Sequence, residues 1–365
     1  MDMLRTTIDI QNELKKSVFG QDELIRSLSV IAWTHEANQM RKRKNLEPIN
    51  NKTLIIGTSG TGKTYSVKKL AELLNVPFIE IDCSKFAGTS YVGCHHVYDM
   101  FNEPIARYGK ENVEKAIVFL DEFDKTLDIN AYRTTGSRFI QRDFLKLFDK
   151  NSGRQSIFDM STRKSDSIDT TYITFICAGS FYETMDSNNV IDGTVGKMGF
   201  GSSDSKETSR KIEYKDLIAM GHLPELMGRF SRIVNTNELS ADDIYNILKN
   251  GDSEINIYID QLKEMGIKLE YSDAYYKYLA ESVSSGLTGF RDVDKLICND
   301  IDVIISRIGD KNISRIKVEY KDNTVCIKFL DSKNKAIDVY KNEVIKNTLS
   351  LPQAKPRIFN GLHLA

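Results

Sequence analysis

A glycine-rich run closed by a lysine and a threonine, Gly57-Thr58-Ser59-Gly60-Thr61-Gly62-Lys63-Thr64, stands directly after the apolar stretch Leu54-Ile55-Ile56. Successive backbone N–H groups can wrap a polyphosphate only where side chains leave the approach open, and Gly57, Gly60 and Gly62 meet that need. Lys63 offers a point charge to the β- and γ-phosphates, Thr64 a hydroxyl to Mg2+, and a helix beginning near Tyr65 its positive end. Thr58, Ser59, Thr61 and Tyr65 complete the wrapping segment. The pattern predicts binding of ATP with Mg2+. A second group lies downstream, where the apolar run 116–120 closes on Asp121 and Glu122. A buried strand ending in two carboxylates lets Asp121 hold the water shell of the Mg2+ while Glu122 polarises the attacking water.

The elements that must position these groups are legible around them. Val67, Leu70, Ala71 and Leu74 mark one face of a helix that Asn75-Val76-Pro77 ends, and Phe78-Ile79-Glu80-Ile81-Asp82 reads as the next strand. Strand, helix, strand is the beginning of an α/β fold with a parallel sheet and flanking helices. Residues 7–40 read as helix with a break at 17–22. There Val18 and Phe19 could line a nucleobase pocket, or the segment could be a plain joint between helices. Beyond Asn237-Glu238-Leu239-Ser240 the pattern turns to helical stripes, followed by alternation over 313–320 and 324–330 around Lys321-Asp322-Asn323, a hairpin signal. The expected organisation is a large domain over 1–238, a small, mainly helical domain with a β-hairpin over 239–331, and a flexible tail over 332–365.

Composition narrows the class. The chain has 365 residues, 41% hydrophobic and 28% charged, with a formal net charge of −1. That suits a soluble globular protein of about two domains and gives no overall reason to expect nucleic acid or an anionic membrane as partner. The basic run Arg41-Lys42-Arg43-Lys44 is short and reads as a solvated face. Five cysteines are scattered with no C-x-x-C pair, so neither a disulfide framework nor a zinc ribbon is indicated. Cys94-His95-His96 could suggest a metal, but consecutive side chains diverge, whereas zinc sites use spaced pairs. No run approaches the roughly 18 apolar residues of a membrane span, and the expected location is cytoplasmic.

Several motifs in order and spacing resemble the ClpX family of AAA+ protein unfoldases, with HslU as a near relative. They are Val18-Phe19-Gly20-Gln21, the phosphate loop, Asn75-Val76-Pro77-Phe78, Tyr91-Val92-Gly93, and the run from Phe119 through Asp121-Glu122-Phe123-Asp124-Lys125. The strand 171–181 is similar to the family's sensor-1 strand, the segment from Asp216 through His222-Leu223-Pro224-Glu225 to Arg229 to the arginine-finger segment, and Thr288-Gly289-Phe290-Arg291 to sensor 2. The resemblance spans about residues 8–330. It implies a homo-hexameric ATP hydrolase in which Arg229 reaches a neighbour's γ-phosphate, Ser180 contacts that phosphate, and Arg291 reports the bound state. It also implies Val18 and Phe19 on the adenine side, and Tyr91, Val92 and Gly93 as the pore loop that grips protein substrates. Met198, Gly199 and Phe200 would dock a ClpP-like peptidase, and 153–163 would hold a second pore loop with Arg154 and Arg163.

The departures point to an alternative. No cysteine precedes Val18, so the family's N-terminal zinc-binding domain is not expected, and 125–170 looks too short for the inserted domain of HslU. A methionine heads the docking tripeptide, and Cys94-His95 follow the pore glycine. These leave open a remodelling ATPase that works without a protease. A nucleic-acid loader is the remaining reading, resting on Arg41 to Lys44 alone.

Overall fold

The computed structural model describes residues 5–87, 97–126, 136–149, 153–159, 164–181, 211–284, 286, 289–309 and 312–343. Contacts divide the chain into two units, the first formed by 1–256 with 280–295 and the second by 257–279 with 296–365.

In the first unit the apolar segments pair as a parallel sheet. Its strands are β1 (Thr53–Ile56), β2 (Phe78–Asp82), β3 (Ile117–Asp121), β6 (Thr174–Gly179) and β7 (Arg232–Asn235), in the order β2-β3-β6-β1-β7 among the described residues. Leu54, Ile55, Ile56, Ile117, Val118, Phe119 and Leu120 are all fully buried, the continuous apolar pattern of strands covered on both faces. Alternate residues face opposite ways. Leu54, Val118, Leu120 and Cys177 join a core with Phe123, Phe144, Phe148 and Phe175. Ile55, Ile117, Phe119, Ile176 and Ala178 join one with Ile10, Leu14, Val18, Leu28 and Val67, from α1 (Thr7–Leu14), α2 (Asp22–Arg43), α3 (Lys63–Leu74) and the α1–α2 joint. Thr6 and Asp9 form a capping box at the start of α1, which fixes where the N-terminal helical segment begins.

The second pore loop expected over 153–163 falls on an antiparallel hairpin, β4 (Arg154–Asp159) with β5 (Lys164–Asp169). Arg154 is exposed at its start. Arg163 lies outside the described residues.

The second unit holds the expected hairpin within a larger sheet. The hairpin is present, β9 (Arg315–Lys321) against β10 (Thr324–Leu330), and Asp322 and Asn323 turn it with φ of 51° and 56°. Both central residues thus take the positive φ that a tight two-residue turn demands. It is not isolated: β8 (Lys268–Tyr271) adds parallel to β9, and β11 (Ala336–Glu343) adds antiparallel to β10. β11 lies inside the stretch expected as a flexible tail. An edge strand satisfies its backbone by pairing, and Ile337 and Val339 remain exposed on it. Residues 344–365 lie outside the described residues.

Candidate nucleotide site

The phosphate loop follows β1 and opens α3, so strand pairing places it. Gly57 N–H donates to the Gly179 carbonyl at 3.1 Å, and Thr236 N–H donates to the Ile56 carbonyl at 2.7 Å. Gly60 and Gly62 have φ of +78° and +84°, a backbone conformation that side chains disfavour. A Cβ on Gly62 would meet only the Ser66 hydroxyl, at 4.0 Å, so its surroundings leave an approach open. Gly57 is glycine for a different reason than the sequence suggested. A Cβ there would lie 1.7 Å from the Thr236 hydroxyl, so the requirement comes from the end of β7. That hydroxyl donates to Thr61 Oγ1 at 3.0 Å, and Thr61 donates to the Thr58 carbonyl at 2.9 Å, which ties the loop crest to β7.

Lys63 Nζ donates to the carbonyls of Gly57 and Thr58 at 2.7 and 2.8 Å, inside the loop. Burial pushes its pKa below the usual lysine value; Asp121 and Asp124 oppose that, and Arg291 adds to it. Thr64 Oγ1 donates to Asp121 Oδ2 at 3.3 Å, bringing together the two residues expected at Mg2+. A hydroxyl beside a carboxylate is the hard oxygen donor set that Mg2+ favours. These residues therefore fit the ion and the phosphates.

Glu122 is exposed and has φ of +51°, while its N–H donates to Asp121 Oδ1 at 2.9 Å. A non-glycine residue held in the left-handed region at the end of a strand is strain retained by its surroundings. Phe181, which follows Ser180 at the end of β6, repeats the device with φ of +62°. Ser180 Oγ donates to Asp124 Oδ2 at 3.2 Å. Asp124 is 6% exposed, and a Cβ on Gly179 would come within 2.5 Å of its Oδ1. The sequence flagged this aspartate only as part of a matching run.

Gly289 is a second residue whose role the sequence did not reveal. Its φ is +60°, and a Cβ on it would lie 3.1 Å from the Ser59 carbonyl oxygen and 3.5 Å from Gly60 Cα. The short turn Gly289–Arg291 therefore rests on the loop crest, which explains why Lys63 feels the Arg291 charge. Tyr65 sits on α3 with its hydroxyl donating to Asp252 Oδ2 at 3.3 Å, beside the Lys69–Asp252 ion pair at 2.6 Å. Of the two residues expected at the nucleobase, Val18 is buried in the core and Phe19 is half-buried. Their segment is held by Gln21, whose Nε2 donates to the Asn237 carbonyl at 2.7 Å and whose Oε1 accepts from Asn237 N–H at 2.9 Å.

Arg229 is not among the groups gathered at the loop of its own chain. Its Nη2 pairs with Asp149 at 3.2 Å. Tyr91, Val92 and Gly93, Cys94 to His96, and Met198, Gly199 and Phe200 lie outside the described residues. Among the described residues no cluster of His, Cys, Asp and Glu is arranged to hold a metal ion. The basic run is engaged with its own chain: Lys42 Nζ pairs with Glu114 at 2.9 Å, and Arg41 donates to the Glu47 carbonyl. Among the described residues no helix is long and apolar enough to cross a membrane.

A parallel sheet whose first strand runs into a phosphate loop, with a carboxylate pair at the tip of β3, defines a P-loop ATPase. Residues 50–233 match the family described as "AAA domain (Cdc48 subfamily)". The chain belongs to that family and is an ATPase. It is similar to the ATP-dependent Clp protease ATP-binding subunit ClpX of Bacteroides thetaiotaomicron, 27% identical over 314 residues that cover 80% of this chain and 76% of that protein. The protein of the same name from Bacteroides fragilis is 26% identical over 314 residues, 80% of this chain and 75% of its own. ClpX 2 of Wolinella succinogenes is 26% identical over 285 residues, covering 73% and 68% respectively.

Proposed function

We propose that this chain is a ring-forming, ATP-driven protein unfoldase of the ClpX type that acts in the cytoplasm. The observation that carries the reading is the convergence on one loop of Lys63, Thr64, Asp121 and Arg291, with strained Glu122 beside them and Arg229 paired elsewhere. Lys63 and the loop N–H groups would hold the β- and γ-phosphates. Thr64 and Asp121 would hold Mg2+, which when bound neutralises phosphate charge. Glu122 orients water and accepts its proton. Arg229, paired with Asp149 in its own chain, would reach the γ-phosphate held by a neighbouring subunit. Arginine fingers are worth about 10³ to 10⁵ in rate where they have been quantified. The similarity to ClpX proteins over four-fifths of the chain supports a protein substrate, gripped by Tyr91-Val92-Gly93, over a nucleic acid. Delivery through Met198-Gly199-Phe200 to a ClpP-like peptidase belongs to the same reading.

The test is loss of structure of a stably folded, tagged reporter, with ATP and with or without a ClpP-type peptidase. Unfolding by the wild type and none by Glu122→Gln is the expected result, with peptide release only when the peptidase is added. Unfolding without release would select a remodelling ATPase that works alone. No unfolding by the wild type would sink the proposal.

A further inference from the structure

Ser180 carries a single O–H, and in this structure that proton is directed at Asp124 Oδ2, 3.2 Å away. Asp124 is held there from several sides. It is the second residue of the turn Phe123–Thr126, two positions beyond Glu122. Its Oδ1 lies against Gly179 so closely that a Cβ on the glycine would come within 2.5 Å. The Lys125 ammonium stands 3.8 Å from Oδ2. Among the described residues it is also one of the two carboxylates that hold up the proton affinity of Lys63. The carboxylate is thus buried and fixed, with the tip of β6 on one side and the turn that follows Glu122 on the other.

A phosphate oxygen, like a carboxylate, only accepts. The Ser180 proton can go to one or the other and not to both. We propose that Asp124 is the resting acceptor of the Ser180 hydroxyl, and that the γ-phosphate of a bound nucleoside triphosphate is sensed as the handover of this one hydrogen bond from carboxylate to phosphate. Asp124 is then a positioning residue that acts through Ser180. A diphosphate leaves the bond to Asp124 in place. A triphosphate removes it, and the change occurs two residues beyond Glu122, on the turn Phe123–Thr126. The inference rests on the nucleotide reading above and deepens it.

The experiment compares ATP and ADP affinities by displacement of a fluorescent ADP, in a Glu122→Gln background so that ATP persists. Asp124→Asn keeps the shape and weakens the acceptor, because hydrogen bonds to charged groups are roughly twice as strong as neutral ones. The ratio Kd(ADP)/Kd(ATP) is expected to rise about fivefold, ~1 kcal/mol. With Ser180→Ala added, that rise should vanish, because no hydroxyl remains to be handed over. An equal rise with and without Ser180 would mean that Asp124 acts by its charge alone and would overturn the inference, as would an unchanged ratio. Should the amide not fold, Asp124→Ser, smaller and neutral, gives the same readout. Failure of every variant and of the parent to bind either nucleotide would overturn the nucleotide reading itself.

Discussion

The requirement at Gly57 and the requirement at Gly62 are different in kind, although the two glycines belong to one motif. Gly62 needs its positive φ and open surroundings; Gly57 needs the absence of a Cβ because the Thr236 hydroxyl occupies that space. Gly57→Ala should therefore act first on packing, costing about 1–3 kcal/mol. Thermal unfolding of Gly57→Ala should show that loss, and Thr236→Gly should recover part of it. No recovery would place the glycine's role in phosphate approach alone. The φ values of Glu122 and Phe181 carry a similar message. Side chains expected to meet the triphosphate stand on, or beside, residues held against their own backbone preference at the ends of β3 and β6.

Among the elements, the joint between α1 and α2 acts as a clamp. Gln21 is 2% exposed and pairs through both side-chain polar atoms with the backbone of Asn237, while Asn237 Nδ2 donates to the Gly20 carbonyl at 3.2 Å. Gly20 has φ of +70°, and a Cβ on it would come within 2.6 Å of the Asp243 carboxyl group, in the capping box that starts the helix Ala241–Asn250. The clamp joins the segment before the phosphate loop to the segment after β7. Gln21→Ala leaves the Asn237 N–H and carbonyl without these partners, at about 1–3 kcal/mol. Its melting temperature should fall and its affinity for adenine nucleotides should weaken by severalfold, both measurable on one sample. Weaker binding with an unchanged melting temperature would count against the clamp.

Two buried histidines set a pH dependence for the whole molecule. Burial lowers the pKa of His35 to about 4 and of His222 to about 3, from an ordinary 6.5. The unfolded chain then binds more protons than the folded one below about pH 6.5, so stability falls as pH drops through that window toward 4 and 3. Among the described residues neither His222 nitrogen has a hydrogen-bond partner, and its ring packs against Phe181 at 5.4 Å between centroids. His222→Leu should raise stability at pH 7 by about 1 kcal/mol or more. It should also flatten the acid limb of a melting-temperature profile between pH 6.5 and 3. Assembly is testable at the same scale. Arg229→Ala and Glu122→Gln should each lose ATPase activity by at least about 10³. Mixing the two should restore part of it, because the Glu122→Gln subunit still lends Arg229 to its neighbour's intact Glu122. Mixtures as inactive as the parts would refute a finger supplied across subunits.

Read as a string of residues, the chain already showed the loop, the Asp121-Glu122 pair, the sheet-forming apolar runs and the AAA+ resemblance. These depend on local pattern: successive N–H groups, a strand that ends in carboxylates, and alternation around a two-residue turn. The pairing of β11 was hidden because residues 336–339 bury neither face and are held by backbone pairing to β10. Gly57 against Thr236, Gly289 on the loop crest, Gln21 on Asn237 and Asp124 beneath Ser180 were hidden because each joins residues far apart in the chain. Residue types name the chemistry that a segment can perform. Which distant backbone or hydroxyl stands within hydrogen-bond reach is decided only when parallel strands bring their ends to one edge of a sheet.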